Sequence, residues 1–161
     1  MSGSPFEVEN GSVEYLLKWF NDGVKTPEER LQLHQMVMGF RNSLLYNREM
    51  LALQPEERAR HEPERRRLQR TLLHIEKFLP YFESPYAGHQ DKVKVLYLRA
   101  EDANYCKQNR DSIFSEIKEL QCDMCKHMHT LSKELQEKHK HERLHLCQIL
   151  GQIERTCAEH Q

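Results

Sequence analysis

Glycine and proline are scarce in this chain, six of each in 161 residues. So few turn formers argue against a sheet protein of many short strands and favour long helices that each bury one stripe. Apolar residues are also sparse, at 38%, while charged residues reach 30%; soluble globular domains usually carry about 45–50% and 25%. The longest uncharged apolar run is Val95 to Leu98, far short of the ~20 residues that a membrane-spanning helix requires. Charge of either sign is not in excess: the net value is -1, so no global field draws the chain to nucleic acid or to an anionic membrane. Catalytic signatures are missing as well. There is no Gly-x-Gly, no Gly-Lys-Ser/Thr and no Gly-x-Ser-x-Gly, hence no phosphate cradle or nucleophile elbow. No repeat of 20 to 50 residues is found, which argues against a solenoid.

The apolar residues that are present keep helical spacing. Residues 1–11 are small and polar with one proline and read as a flexible tail. A short helix over 12–21 is expected from Val13, Leu16, Leu17 and Phe20, which share one face. Tyr15 and Trp19 widen that face. They could anchor a partner, although capping a bundle core is the preferred reading. Thr26-Pro27-Glu28-Glu29 starts a second helix, with Thr26 as N-cap, Pro27 at the first helical position and Glu29 placed for a capping box. Leu33, Val37, Phe40, Leu44 and Leu51 extend it to about residue 53. A third helix over 63–79 carries Leu68, Leu72, Ile75, Leu79 and Phe82 at 4–3–4–3 spacing, the seam of a helix made to meet another. Residues 12–90 thus form a helical head.

From Asp91 onward there is one glycine, Gly151, and no proline. A continuous helix over 91–161 would be on the order of 100 Å long at 1.5 Å per residue. Its seam runs through Ile113, Ile117, Leu120, Met124, Met128, Leu131 and Leu135, with a weak register around Asn109. A polar break follows over 136–143. The apolar stripe then resumes at Leu146, Ile149, Leu150, Ile153 and Cys157. The expected fold is all-α: a helical bundle head with a long C-terminal helix that forms a coiled coil, because one long helix cannot bury its own face.

One constellation carries potential chemistry. Cys122 and Cys125 form a Cys-x2-Cys pair, with His129, His139, His141 and His145 downstream and Cys147 beyond them. Such a spacing approaches that of a small zinc finger. A finger, however, needs a hairpin under the thiolates and an aromatic residue in its core, and neither is present. On a helix, Cys122, Cys125 and His129 fall at i, i+3 and i+7, one face that could hold zinc; His141 and His145 at i and i+4 could form another. The preferred reading takes the cysteines as small apolar fillers and the histidines as solvated, so no cofactor is expected, zinc being the alternative. The basic run Arg65-Arg66-Arg67 with Arg70 is interleaved with Glu56, Glu57, Glu62 and Glu64 and lacks stacking aromatics, which disfavours a nucleic-acid partner. Five cysteines, an odd number, with no secretory leader at the start of the chain, suggest reduced thiols in an intracellular, cytoplasmic or nuclear protein.

The function expected from these features is non-enzymatic: an adaptor or structural subunit of a larger complex. It would contact protein partners, or a second copy of itself as a homodimer, through the Leu68–Phe82 and Ile113–Leu135 seams. The alternative is a zinc-binding regulatory or nucleic-acid-binding protein using the Cys/His cluster at 122–147.

Overall fold

A computed structural model describes residues 4–160. All regular elements among them are α-helices, in the order α1 (Glu7–Asp22), α2 (Pro27–Leu45), α3 (Arg48–Ala52), α4 (Pro55–Lys77), α5 (Ala87–Ala100), α6 (Ala103–Thr130), α7 (Lys133–Lys138) and α8 (Lys140–Glu159). The all-α expectation holds. The chain divides into two compact units, Met1–Pro80 and Tyr81–Gln161.

In the first unit α1, α2 and α4 pack against one another, and the short α3 lies on α4. Each of the three main helices brings a stripe at alternating three- and four-residue steps. Val13, Leu16 and Phe20 come from α1, with Phe6 ahead of them; Leu33, Val37 and Leu44 from α2; Leu68, Leu72 and Ile75 from α4, with Leu79 following. All are buried. Such stripes bury only against other helices, and three of them close a bundle. Local chemistry fixes the ends. Thr26 Oγ accepts from the Glu29 amide at 3.1 Å, and Glu29 Oε2 accepts from the Lys25 amide at 2.7 Å, so exposed donors at the start of α2 are satisfied. Gly23, at φ 110°, closes α1 by donating to Trp19 and Phe20 carbonyls, a backbone state that side-chain-bearing residues avoid.

The second unit is built the same way, from α5, α6 and α8 packed pairwise with α7 leading into α8. Here the expected architecture requires correction. No single helix runs from 91 to 161: the chain breaks at Glu101-Asp102 and at Leu131-Ser132 and folds back on itself. Asp102 accepts from the Asn104 and Tyr105 amides, and Ser132 from the Leu135 amide. These caps restart helices without any glycine or proline. The weak register near Asn109 is a local departure from helical geometry (φ -125°, ψ 25°), with Asn109 Nδ2 donating to the Tyr105 carbonyl. The polar break at 136–143 coincides with the α7–α8 junction at His139.

Other boundaries also move. Of the expected tail, residues 1–3 lie outside the described residues, whereas α1 begins at Glu7 and Phe6 is fully buried. The helix expected to reach residue 53 ends at Leu45, where Asn47 caps α3 by accepting from the Met50 amide. The helix expected from residue 63 begins at Pro55, a residue suited to the first helical position, and carries Pro63 in its interior. Asp91, where the long helix was expected to start, lies inside α5, which begins at Ala87.

The two units are a tandem repeat, longer than the 20 to 50 residues of solenoid repeats. Val13, Leu16, Leu33, Val37, Phe40 and Leu44 correspond to Val93, Leu96, Ile113, Ile117, Leu120 and Met124 at an offset of 80. In the last helix the offset is 78: His61, Glu64, Arg65, Leu68, Leu72, Ile75 and Glu76 match His139, Glu142, Arg143, Leu146, Leu150, Ile153 and Glu154. Hydrogen bonds repeat with the residues. Ser4-Pro5-Phe6 and Ser84-Pro85-Tyr86 both use the serine Oγ to accept from the aromatic residue's amide, at 3.0 and 3.1 Å. Both serines donate to the matching glutamate, Ser4 to Glu64 and Ser84 to Glu142. Each unit therefore latches the start of its first helix to its last helix.

Candidate functional site

The residues marked by sequence distribute as follows. Leu68, Leu72, Ile75, Leu79, Ile113, Ile117, Leu120 and Met124 are buried. Their seams are consumed within the chain and do not lie open to another helix, which corrects the expectation of an external coiled coil through them. Phe82, Met128 and Leu131 are half-buried, and only Leu135, at 41%, is well exposed.

The Cys/His constellation does not assemble. Cys122 and Cys125 are exposed on α6 with His129. His139 is buried and pairs through Nδ1 with Glu142 Oε2 at 2.8 Å. His141 is exposed, and His145 Nδ1 lies 2.6 Å from the Tyr81 hydroxyl. Among the described residues, no three His, Cys, Asp or Glu side chains gather as a metal-holding group. The turn at Leu131-Ser132 separates Cys122, Cys125 and His129, all on α6, from His141 and His145 of α8.

Glu142 joins Ser84 and His139, three residue types that recur in hydrolases. The order of bonding differs, however: Ser84 Oγ donates to the carboxylate at 2.6 Å, and the imidazole lies on the other side of that carboxylate. The hydroxyl meets the carboxylate and not the imidazole, so the serine–histidine relay of those hydrolases is not assembled. Ser4–Glu64 repeats the bond in the first unit, which marks it as a clasp of the fold. The basic run is likewise engaged. Arg65 Nε donates to Glu62 Oε1 at 2.9 Å, Arg66 Nε lies 3.5 Å from the same oxygen, and the Arg65 guanidinium holds the Glu62 carboxyl below its ordinary range.

Two features sequence reasoning did not find emerge from the repeat. The first is an open groove at the same place in each unit. Between α1 and α2 it is lined by Glu7, Val8, Gly11, Ser12, Tyr15, Met36 and Phe40, with a volume of about 420 Å³. Between α5 and α6 the lining includes Asp91, Lys92, Val95, Glu116 and Leu120, with a volume of about 450 Å³. Position for position, Gly11, Ser12, Tyr15, Met36 and Phe40 have become Asp91, Lys92, Val95, Glu116 and Leu120. The first groove is mostly uncharged, Glu7 being its one charged side chain, with Tyr15 62% exposed. The second is rimmed by Asp91, Glu116, Glu119 and Asp123, with Arg99 reaching Glu116 at 4.0 Å.

The second feature is a polar cluster. At the base of the first unit, Phe6 is fully buried, Glu9 Oε1 accepts from Asn47 Nδ2 at 3.0 Å, and Asn47 also donates to the Pro5 carbonyl. The corresponding positions in the second unit are Tyr86, His89 and His127. Tyr86 is fully buried, and its ring lies 6.0 Å from that of His89 and 5.8 Å from that of His127; the two imidazoles are 5.5 Å apart. The Tyr86 hydroxyl, His89 Nδ1 and His127 Nε2 are buried atoms with no hydrogen-bond partner among the described residues. An unpaired buried polar group costs about 1–3 kcal/mol, and native proteins keep few of them. Burial pushes the Tyr86 hydroxyl up, partly opposed by Arg143, and pushes His89 down, with His127 adding to the effect. Cys125 and Cys147 are within electrostatic reach of Tyr86, and burial raises the Cys147 thiol.

No protein-family model matches this chain, and neither the curated proteins nor the solved structures provide a significant match to it.

Proposed function

We propose that the chain is a non-enzymatic interaction module whose two repeats each hold a helical segment of a protein partner, so that it serves as an adaptor or structural subunit of an intracellular assembly. The observation that carries this reading is the pair of equivalent grooves. They occupy the same place on one duplicated scaffold, yet their linings have diverged: Glu7 is the one charged side chain lining the first, whereas four carboxylates and two cations line the second, and the bundle cores stayed apolar. Recognition surfaces diverge in this manner when two copies of a scaffold select different ligands. The α1–α2 groove suits the apolar face of an amphipathic helix, read by anchors at i, i+3 and i+7. The α5–α6 groove suits a segment with basic residues on its flanks. Five cysteines, none in a disulfide, accord with a reducing compartment. No described helix is long and apolar enough to cross a membrane.

Site-specific photocrosslinking tests this reading. A crosslinking amino acid at Phe40 and, separately, at Val95 is expected to yield discrete protein adducts in cells. Excess wild-type chain should compete the Phe40 adduct away, and the Met36→Glu variant should not. The corresponding pair for Val95 is wild type against Glu116→Lys/Glu119→Lys. Absence of adducts, or adducts competed equally by the groove variants, would count against it. Adducts with the chain itself would identify a homodimer.

A further inference from the structure

The cluster in the second unit has a composition that the fold does not call for. At its three positions the first unit manages with a phenyl ring and one carboxylate–amide hydrogen bond. The second unit replaces all three with side chains that can ligate a metal, and leaves one buried heteroatom of each without a hydrogen-bond partner among the described residues. Structural drift after duplication would conserve satisfaction of buried groups, because orphans are costly. Three changes that create such orphans on rings 5.5–6.0 Å apart point to a ligand that satisfies them.

We infer that His89 Nδ1, His127 Nε2 and the Tyr86 hydroxyl bind one divalent transition-metal ion of the zinc class. The spacing fits. With Zn–N bonds of about 2.0–2.1 Å and tetrahedral angles, two imidazole centroids lie about 5 Å apart; His89 and His127 are at 5.5 Å. A phenol oxygen ligand at about 2.0–2.2 Å places its ring about 6 Å from each imidazole; the distances are 6.0 and 5.8 Å. The donor set of imidazole nitrogen and oxygen suits zinc and its neighbours in the transition series, not calcium or magnesium. His89 belongs to the first turn of α5 and His127 to the last turn of α6. The ion would clip these two helix ends together, as the Glu9–Asn47 bond joins α1 to the start of α3 in the first unit. This site is distinct from the grooves and does not depend on what they hold.

The test uses the full chain, stripped of metal and titrated with zinc, and with cobalt as a coloured probe. One ion per chain should bind, raise the melting temperature and, in the wild-type protein, shift the imidazole nitrogen resonances of His89 and His127 but not those of His141 and His145. The variant Tyr86→Phe/His89→Glu/His127→Asn installs the residues that the first unit already uses at these places, so it should fold with undiminished stability. Its zinc affinity should fall at least tenfold. His127→Asn alone should weaken binding by a similar factor if the triple variant folds poorly. No binding of either ion to the wild-type chain would show that the cluster holds only water and overturn the inference. Undiminished binding by the triple variant, or by His127→Asn, would place the ion elsewhere, on Cys122, Cys125 and His129 for example, and overturn it equally.

Discussion

Leu72 and Leu150 occupy the same place in the two repeats, 78 positions apart, and both are fully buried. Truncating either to alanine removes buried methyl groups and leaves a cavity that a helix-packed core closes only in part, at about 3 kcal/mol. A unit of the size of Met1–Pro80 has a total stability of about 4–12 kcal/mol at 0.05–0.15 kcal/mol per residue. The substitution therefore takes a quarter or more of what holds the unit. For a domain of this size about 1 kcal/mol lowers the melting temperature by 4–8 °C, so a fall on the order of 12 °C or more is expected for Leu72→Ala and for Leu150→Ala. Hydrogen exchange read by mass spectrometry localises the loss. Leu72→Ala should deprotect α1, α2 and α4 first, and Leu150→Ala α5, α6 and α8. Leu135→Ala, at an exposed position, is the control and should shift stability by less than about 0.5 kcal/mol. A fall below about 5 °C for either core variant, or protection lost first from the helices of the other unit, would refute the assignment of each leucine to its own unit's core.

Three further outcomes are expected. Ser84→Ala removes the donor to Glu142 and the acceptor for the Tyr86 amide, and should cost about 1.5–3 kcal/mol as the loss of a charge-assisted bond, measured by urea denaturation. Thr26→Ala removes the cap of α2 at about 1 kcal/mol, with faster amide exchange confined to the first turn of that helix. Thiol labelling of the native chain should modify Cys122 and Cys125 rapidly, while the buried Cys106 and Cys157 react only after unfolding. The last prediction has a pH counterpart. Burial, with the neighbouring Cys157, pushes the Cys106 thiol from 9.0 up to about 11. The folded state thus retains a proton that the unfolded state releases, so this contribution to stability is full below pH 9 and is lost as pH rises through 11. Unfolding midpoints measured across that window should decline less steeply in Cys106→Ala than in the wild-type chain.

The helical stripes were legible in the sequence because their spacing is a property of neighbouring residues. Leu33–Val37–Phe40–Leu44 and Leu68–Leu72–Ile75–Leu79 announce their faces without reference to any partner. The boundaries were less so. Ser4 starts its unit by bonding Glu64, and Ser84 by bonding Glu142. These partners are some 60 residues away, and no local signal reveals them. The break at Leu131-Ser132 was obscured because helix-forming residues on either side continue the periodicity, while the serine cap alone distinguishes a restart from a continuation. The polar cluster was hidden for a related reason. Tyr86, His89 and His127 have no spacing signature, and their oddity appears only when the second unit is laid on the first and Phe6, Glu9 and Asn47 stand beside them.

Two adjacent copies of one topology also raise a problem of folding fidelity. During synthesis or refolding, a third helix can close the wrong bundle, since α4 and α8 carry the same pattern of buried positions, and misassembly of this type is characteristic of repeat proteins. The divergence of the two cores opposes it. Phe20 in the first unit is Ala100 in the second, and Leu79 is Cys157, so the volumes filled in one bundle are not those offered by the other. A swapped helix would leave a void on one side and a clash on the other, each costing on the order of 1–3 kcal/mol. The unequal sizes of matched core residues thus serve as an address that sends each helix to its own unit.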